Sequence, residues 1–171
     1  MKTNIIGHRE IFGIEYSILE AAPILPYGHC RIWLMGNFLG DIEEPIFLTS
    51  TCSSLEGLII HREKYILDRH YFSLSEQEKF ELFDSGETKD YGFLYIEGYD
   101  AFCKYIYYRQ SLFYFLWKLS PQLKGQENYQ NVPKELRSAK ISLPIYEEVV
   151  REFRNVLNDF LDVPRLPNPV N

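Results

Sequence analysis

The stretch that most restricts the fold of this 171-residue chain is residues 5–60. Residues 11–19 alternate between apolar and other side chains, and this period of two indicates a strand with one buried face. Residues 29–35 form a second predicted strand, Gly36-Asn37 a tight hairpin turn, and residues 38–40 the start of the returning strand. This order builds a sheet, and no residue in it has the spacing of a catalytic or metal site.

Two main helices are predicted to cover that sheet. Ser53 and Glu56 have the spacing of a capping box, and apolar side chains after them repeat at helical intervals as far as Asp68. Near the carboxyl end, Pro144 lies in the first turn of the clearest helix, whose apolar stripe reaches Leu161. Both helices therefore carry one apolar face that needs a sheet to pack against.

The middle of the chain adds a short helix and aromatic strands. Ser75 and Glu78 form a second capping box, and the helix that follows them ends at Gly86. Three further segments are rich in aromatic side chains and strand-like: residues 91–96, 101–108 and 112–119. The last two are separated by residues 109–111, which predicts a hairpin, whereas the polar residues 121–141 predict a long surface loop.

Together these elements predict an α+β protein with a mostly antiparallel sheet of five or six strands and two main helices packed on one face. The length of 171 residues suits one domain, because domains usually contain about 100–200 residues. We place this domain at residues 1–163 and a proline-rich tail at residues 164–171.

The charge of the chain is unevenly distributed. The net charge is −6; residues 1–100 carry 17 acidic and 8 basic side chains, and residues 101–171 carry 7 and 10. Within residues 76–100, only Lys79 and Lys89 oppose eight acids: Glu76, Glu78, Glu81, Asp84, Glu87, Asp90, Glu97 and Asp100. An acidic surface repels phosphate backbones and anionic membranes and attracts basic partners. We therefore expect neither nucleic-acid nor membrane binding; the alternative is a solvated face that only aids solubility.

No pattern of reactive side chains indicates a catalytic centre, a cofactor or a metal. No two of the four histidines have the spacing of a helical zinc site: His8, His29, His61 and His70. Phosphate-binding loops, nucleophile elbows and dinucleotide-binding glycine runs are absent from the sequence. Three widely spaced cysteines (Cys30, Cys52 and Cys103) and an amino terminus without an apolar stretch predict a cytoplasmic protein with reduced thiols.

Two other functions stay open at this point. A small hydrolase could use Cys52, Cys103 or a pair of carboxylates, and it predicts a concave pocket with convergent titratable groups. A structural adaptor predicts a flat apolar patch and self-association, and a homo-oligomer is compatible with the sequence.

Several segments resemble the immunity protein 42 family of bacterial polymorphic toxin systems: NIIGHREIFGIEYSILE, YGHCRIWLMGNFLGD, TSTCSSLEGLI and EGYDAFCKYIYYRQSLFYFLWKL. The resemblance covers most of residues 4–160. It implies a cytoplasmic antitoxin that is not an enzyme and that binds the catalytic domain of a cognate toxin. Many toxins of such systems are nucleases with basic sites, which an acidic mimic of the substrate would fit. The matched residues Gly36, Gly40, Asp41 and Asp100 would then hold the fold.

If the resemblance holds, we expect the toxin to contact an acidic rim: Asp41, Glu43, Glu44, Asp84, Glu87 and Asp90. An exposed tyrosine, Tyr91 or Tyr129, would supply an aromatic anchor, since tight interfaces depend on a few such residues. Opposite charge would steer the toxin toward the rim. The alternative for the acids after the hairpin is that they protect a sheet edge from aggregation.

Overall fold

The computed structural model of the chain describes residues 2–19, 25–40, 44–123, 132 and 134–162. In chain order the strands are β1 (Asn4–Gly7), β2 (Phe12–Ile18), β3 (Tyr27–Leu34), β4 (Asn37–Leu39), β5 (Ile46–Phe47), β6 (Phe102–Arg109), β7 (Leu112–Leu119) and β8 (Arg137–Ser142). The α-helices are α1 (Leu48–Ile60), α2 (Glu76–Asp84) and α3 (Leu143–Asp162). None of the helices in the described part of the chain combines the length and apolar character that a transmembrane span needs.

The first five strands form one antiparallel sheet. Strands β1 to β4 lie in sequence order, and β5 pairs with β3. Helices α1 and α3 pack together on this sheet. The ring of Phe12 stacks on Tyr146 of α3 with centroids 4.7 Å apart, and Tyr16 contacts Phe153 at 5.5 Å. These contacts confirm the α+β class and an antiparallel sheet with the two main helices packed on one face. The prediction counted the aromatic strands in this sheet, whereas the structure places them in a second one.

The aromatic strands form a separate sheet of three antiparallel strands in the order β6-β7-β8. Tyr146 connects the two sheets: its ring contacts Phe113 at 5.0 Å and its hydroxyl donates a hydrogen bond to the Leu55 carbonyl at 3.3 Å. Trp117 Nε1 donates to the Phe38 carbonyl at 3.1 Å. The shared core lies between the sheets and the two long helices, with Tyr146 fully buried at its centre.

A second, smaller core lies where α2 covers the three-stranded sheet. Its buried members are Leu67, Phe80, Phe83, Tyr91, Tyr107 and Leu116. The rings of Phe83 and Tyr91 stack with centroids 4.2 Å apart, and Phe83 meets Tyr107 edge-on at 6.4 Å. This packing fixes α2 and the segment after it against β6.

The first hairpin turns one residue earlier than predicted. Leu34 pairs with Asn37, so Met35 and Gly36 form the turn, with φ angles of 49° and 78°. Positive φ at both central residues is typical of a type I′ turn, which matches the twist of the strands. Asn37 is instead a strand residue whose side-chain amide donates to the Met35 carbonyl at 3.1 Å.

Helix α1 begins before its predicted capping box. Phe47 precedes its first residue and provides no side-chain cap, whereas Ser53 lies in the middle of the helix. Ser53 Oγ accepts a hydrogen bond from Arg154 at 3.0 Å, and Glu56 forms an ion pair with the same guanidinium at 2.5 Å. The helix ends at Ile60 rather than Asp68, and residues 62–65 and 69–71 form short 3₁₀ turns. The buried positions Leu48, Cys52 and Leu55, at helical spacing, explain the earlier start.

Other predicted elements are confirmed or corrected. Ser75 does form a capping box with Glu78 at the start of α2, and α3 agrees with its prediction to within one residue at each end. The strand predicted at residues 91–96 is wrong, because only Gly92 makes a bridge there, to Tyr105. The predicted loop at 121–141 is wrong from Arg137 onward, where β8 pairs with β7. The predicted tail, residues 164–171, lies outside the described residues.

Candidate functional site

The eight acids of residues 76–100 lie on α2 and on the irregular segment between α2 and β6. Seven of them are exposed and Glu76 is half-buried. The ion pairs found among the described residues all join other side chains: Arg9 with Glu15, Glu135 with Arg137, and Glu56 with Arg154. None of these acids forms an ion pair within the described part of the chain, so the segment presents net negative charge to solvent.

The two lysines of the same segment do not neutralise these acids. Lys79 is buried, and its ammonium donates to the backbone carbonyl of Leu74. Burial lowers the pKa of Lys79, although the carboxylate of Glu76 opposes that shift. The ammonium of Lys89 donates to the carbonyl of Ile66 at 2.5 Å. Both ammonium groups are bound to backbone carbonyls, and eight acids against two cations leave this segment strongly acidic.

A cavity of about 520 Å³ opens beside this acidic segment. Its lining consists of Tyr95, Ile96, Glu97, Asp100, Phe102, Cys103, Lys104 and Tyr105. Leu94 has a φ of 51°, a left-handed conformation that is uncommon for a non-glycine residue. This turn ends a run of four buried residues, and the Tyr95 side chain that follows is 71% exposed.

Two tyrosines form the aromatic walls of the cavity, and each is oriented by an acid. The Tyr95 hydroxyl donates to Asp90 Oδ1 at 2.7 Å, and the Tyr105 hydroxyl donates to Asp84 Oδ1 at the same distance. The Tyr105 ring also packs edge-on against Phe80 at 5.1 Å. Partial burial and these hydrogen bonds raise the pKa of both tyrosines, so the hydroxyls stay protonated. Both rings are consequently held in fixed orientations.

The inner wall of the cavity carries one buried cation. Lys104 is 7% exposed, and its ammonium donates to the carbonyls of Tyr99 at 2.7 Å and Phe102 at 3.3 Å. Burial lowers the pKa of Lys104, and the nearby Asp100 opposes that shift. Glu97 and Asp100 are exposed at the cavity. The site thus combines two aromatic rings, two exposed carboxylates, of which Asp100 acts on the Lys104 ammonium, and that ammonium bound to backbone carbonyls.

A smaller hollow of about 170 Å³ adjoins this cavity and shares Ile96 and Glu97 with it. Phe47, which also lines the smaller hollow, is 49% exposed, and Glu44 is exposed just before β5. We call the two hollows, together with the exposed acids of the chain segments that form them or adjoin them in sequence, the acidic–aromatic surface. Its members are Glu44, Phe47, Asp84, Glu87, Asp90, Tyr95, Glu97, Asp100 and Tyr105.

Comparison with known families identifies the chain. The sequence profile described as immunity protein 42 matches residues 4–156. The chain belongs to the immunity protein 42 family. Its members neutralise a bacterial toxin by binding it, so the natural partner of this immunity protein is a cognate toxin. A comparison of the sequence with curated proteins found no significant match.

The fold of the immunity protein also has a counterpart among solved structures. It is similar to the crystal structure of CdiI from Burkholderia dolosa AUO158, with a TM-score of 0.58 and 14% sequence identity. The similarity covers 90% of this chain and 99% of that one. At this identity the likeness concerns the fold alone.

The residues predicted to bind the toxin are only partly brought together. Glu44, Asp84, Glu87 and Asp90 are exposed, whereas Asp41, Glu43 and Tyr129 lie outside the described residues. The prediction of an exposed Tyr91 is wrong: its side chain is 1% exposed because its ring fills the space between α2 and β6.

Sequence reasoning missed the most exposed tyrosine of the acidic–aromatic surface. Tyr95 follows Leu94, whose positive φ turns the chain outward. Leucine rarely adopts a positive φ, so the residue type at this position does not predict such a turn. Asp100, for which the resemblance implied a role in holding the fold, is exposed and lines the cavity. Gly40 does fit its implied structural role, because an added Cβ would lie 2.6 Å from the Tyr99 ring.

The thiols of this immunity protein are poorly suited to catalysis. Cys30 and Cys52 are fully buried, and burial raises the pKa of each to about 12. Cys103 is half-buried at the cavity, where burial and then the charge of Asp84 raise its pKa. Because the thiolate is the reactive form, these environments leave the cysteines unreactive near neutral pH. Within the described residues no group of three or more potential metal ligands occurs.

Proposed function

We propose that this immunity protein acts in the cytoplasm, without catalysis, by covering a basic surface of its toxin with the acidic–aromatic surface. The observation that carries the proposal is a set of exposed acids that form no ion pair with any described residue and that lie near the exposed rings of Tyr95 and Phe47. Opposite charge accelerates the encounter of two proteins, and buried aromatic anchors then slow their dissociation.

A nuclease is the toxin class that this surface fits best. Nuclease active sites bind phosphates with basic side chains, and a row of exposed carboxylates presents a similar pattern of negative charge. In this scheme Asp84, Glu87 and Asp90 take the place of phosphates, and Tyr95 adds the aromatic contact. The immunity protein then competes directly with the nucleic acid.

The cavity is the concave pocket with titratable groups that the hydrolase alternative predicted, since Cys103, Glu97 and Asp100 line it. Membership of an immunity protein family favours binding instead, and a cysteine hydrolase would need a thiol that ionises readily, whereas burial raises the pKa of Cys52 to about 12 and also raises the pKa of Cys103.

An adaptor would need a flat apolar patch, whereas Tyr95 shares its cavity with Glu97 and Asp100, and Phe47 shares its hollow with Glu97. Exposed rings beside carboxylates favour charge-assisted binding of a basic protein.

Co-expression with the toxin domain encoded beside the gene tests the proposal. We expect the toxin alone to arrest growth, and the toxin with this protein to permit growth and to co-purify as a one-to-one complex. Failure of a well-folded protein to restore growth would contradict the proposed function. A complex that still cleaves the toxin's substrate would contradict occlusion.

Hydrogen–deuterium exchange of the complex identifies the face that binds. We expect the toxin to slow amide exchange at residues 44–47 and 92–101. The exposed face of α3, around Glu148 and Glu152, serves as the internal control and should exchange as in the free protein. Protection confined to α3 would place the toxin on another face and would refute the role of the acidic–aromatic surface.

A further inference from the structure

We propose that the cavity between Tyr95 and Tyr105 receives an arginine side chain of the toxin. This inference rests on the proposed function and names the group that the surface recognises. A cavity of about 520 Å³ is larger than one side chain needs, so residues flanking the arginine would enter its mouth as well. Four carboxylates lie at this cavity or hydrogen bond to its walls: Asp84, Asp90, Glu97 and Asp100.

The aromatic walls favour a cation. Cations bind the negative face of an aromatic ring, and the attraction grows when the site excludes water. The hydroxyls of Tyr95 and Tyr105 each donate a hydrogen bond of 2.7 Å to a carboxylate, which polarises the rings toward greater negative charge. Since both rings are already oriented by these bonds, little side-chain freedom is lost when a partner binds.

Two exposed carboxylates complete the site. Glu97 and Asp100 are exposed and belong to none of the ion pairs among the described residues. An anion would be repelled by these groups, and an apolar side chain would remove water from them without replacing its hydrogen bonds. A cation with several N–H donors satisfies both carboxylates and contacts the Tyr95 ring at the same time.

Arginine suits this arrangement better than lysine. Its guanidinium is planar, stacks on aromatic rings, binds carboxylates with two parallel hydrogen bonds and is weakly hydrated, whereas an ammonium is compact and strongly hydrated. The ammonium of Lys104 lies on the inner wall, 6.0 Å from the Tyr95 ring centroid. Its charge keeps a second cation away from the inner wall, so the guanidinium binds at the mouth, near Glu97 and Asp100.

Dissociation constants for the toxin complex test the inference. We expect Tyr95→Ala, and the double variant Glu97→Gln with Asp100→Asn, each to weaken binding at least about 30-fold, the size of a binding hot spot. Tyr95→Phe keeps the ring, so its dissociation constant should stay within about fivefold of that of the unaltered protein. The matched control is Glu148→Gln with Glu152→Gln, which removes the same charge from exposed positions on α3, outside the cavity and outside the acidic–aromatic surface. It should change binding less than about threefold.

Substitution of the toxin's arginines identifies the guanidinium. One arginine-to-alanine change in the toxin should weaken binding as much as Tyr95→Ala does in the immunity protein. When both variants are combined, the dissociation constant should rise little more than it does with either variant alone. The corresponding arginine-to-lysine change should fail to restore binding. Coupling of Tyr95 to a lysine, or to no basic residue, would refute the inference.

The outcomes also separate this inference from the proposed function. If the unaltered protein binds and neutralises the toxin but the cavity variants bind equally well, the inference is wrong and the proposed function stands. If the unaltered, folded protein does not bind the toxin, both are wrong. Thermal unfolding of each variant verifies that it is folded; Tyr95, at 71% exposure, should tolerate replacement.

Discussion

Tyr91 and Tyr95 lie four residues apart and have opposite environments. Tyr91 is 1% exposed and stacks on Phe83, whereas Tyr95 is 71% exposed and forms a wall of the cavity. Leu94 separates them with its φ of 51°, and the carboxylate of Asp90 holds the Tyr95 hydroxyl. The first tyrosine therefore contributes to stability and the second is available for binding.

The burial of Tyr91 predicts a specific loss of stability at high pH. Burial raises the pKa of Tyr91 from 10.0 to about 12, so the folded state retains this proton after the unfolded state has lost it. The contribution of this residue is complete below pH 10 and is lost as the pH rises through 12. Between these values Tyr91→Phe should reduce the pH-dependent decline in unfolding free energy by about 2 kcal/mol. Urea denaturation at each pH measures this difference, and an unchanged decline would contradict the assignment.

Among the secondary-structure elements, the two capping-box sequences show what local pattern can and cannot predict. Ser75 and Glu78 make the reciprocal bonds of a capping box at the start of α2. Ser53 and Glu56 have the same spacing, yet they lie within α1 and bind Arg154 of α3. The capping pattern requires only four residues, whereas the start of α1 is decided by which side chains the sheet buries. Helix α3 was predictable because its apolar stripe extends over five turns.

This difference predicts unequal effects of two similar substitutions. Ser75→Ala removes the side-chain cap of α2 and should lower the free energy of unfolding by about 1 kcal/mol. Ser53→Ala removes only an exposed contact with Arg154 and should change the free energy of unfolding by less than about 0.5 kcal/mol. Chemical denaturation of both variants gives the comparison. A larger loss for Ser53→Ala would show that the predicted box, rather than the observed one, caps a helix.

At the scale of the whole molecule, the division into two sheets could not be predicted from the sequence. Alternation identifies strands but not their partners, and β6 and β7 were assigned to the same sheet as β2 and β3. Tyr146 joins the sheets by contacting Phe12 and Phe113, which are far apart in the chain. The exposure of Glu44, Asp84, Glu87 and Asp90 was predictable because unpaired carboxylates are seldom buried. The cavity was not, because it depends on Tyr105 of β6 meeting Asp84 at the end of α2.

Capture of the toxin by the acidic–aromatic surface is the central claim, and the association rate measured against ionic strength tests it most directly. Glu44→Lys with Glu87→Lys reverses two exposed acids of that surface, and Glu148→Lys with Glu152→Lys makes the same change of net charge on α3. At low salt we predict at least about tenfold slower association and a weaker salt dependence for the first variant, and less than about threefold slowing for the second. Equal slowing in both variants would contradict the claim, since it would mean that net charge alone governs capture.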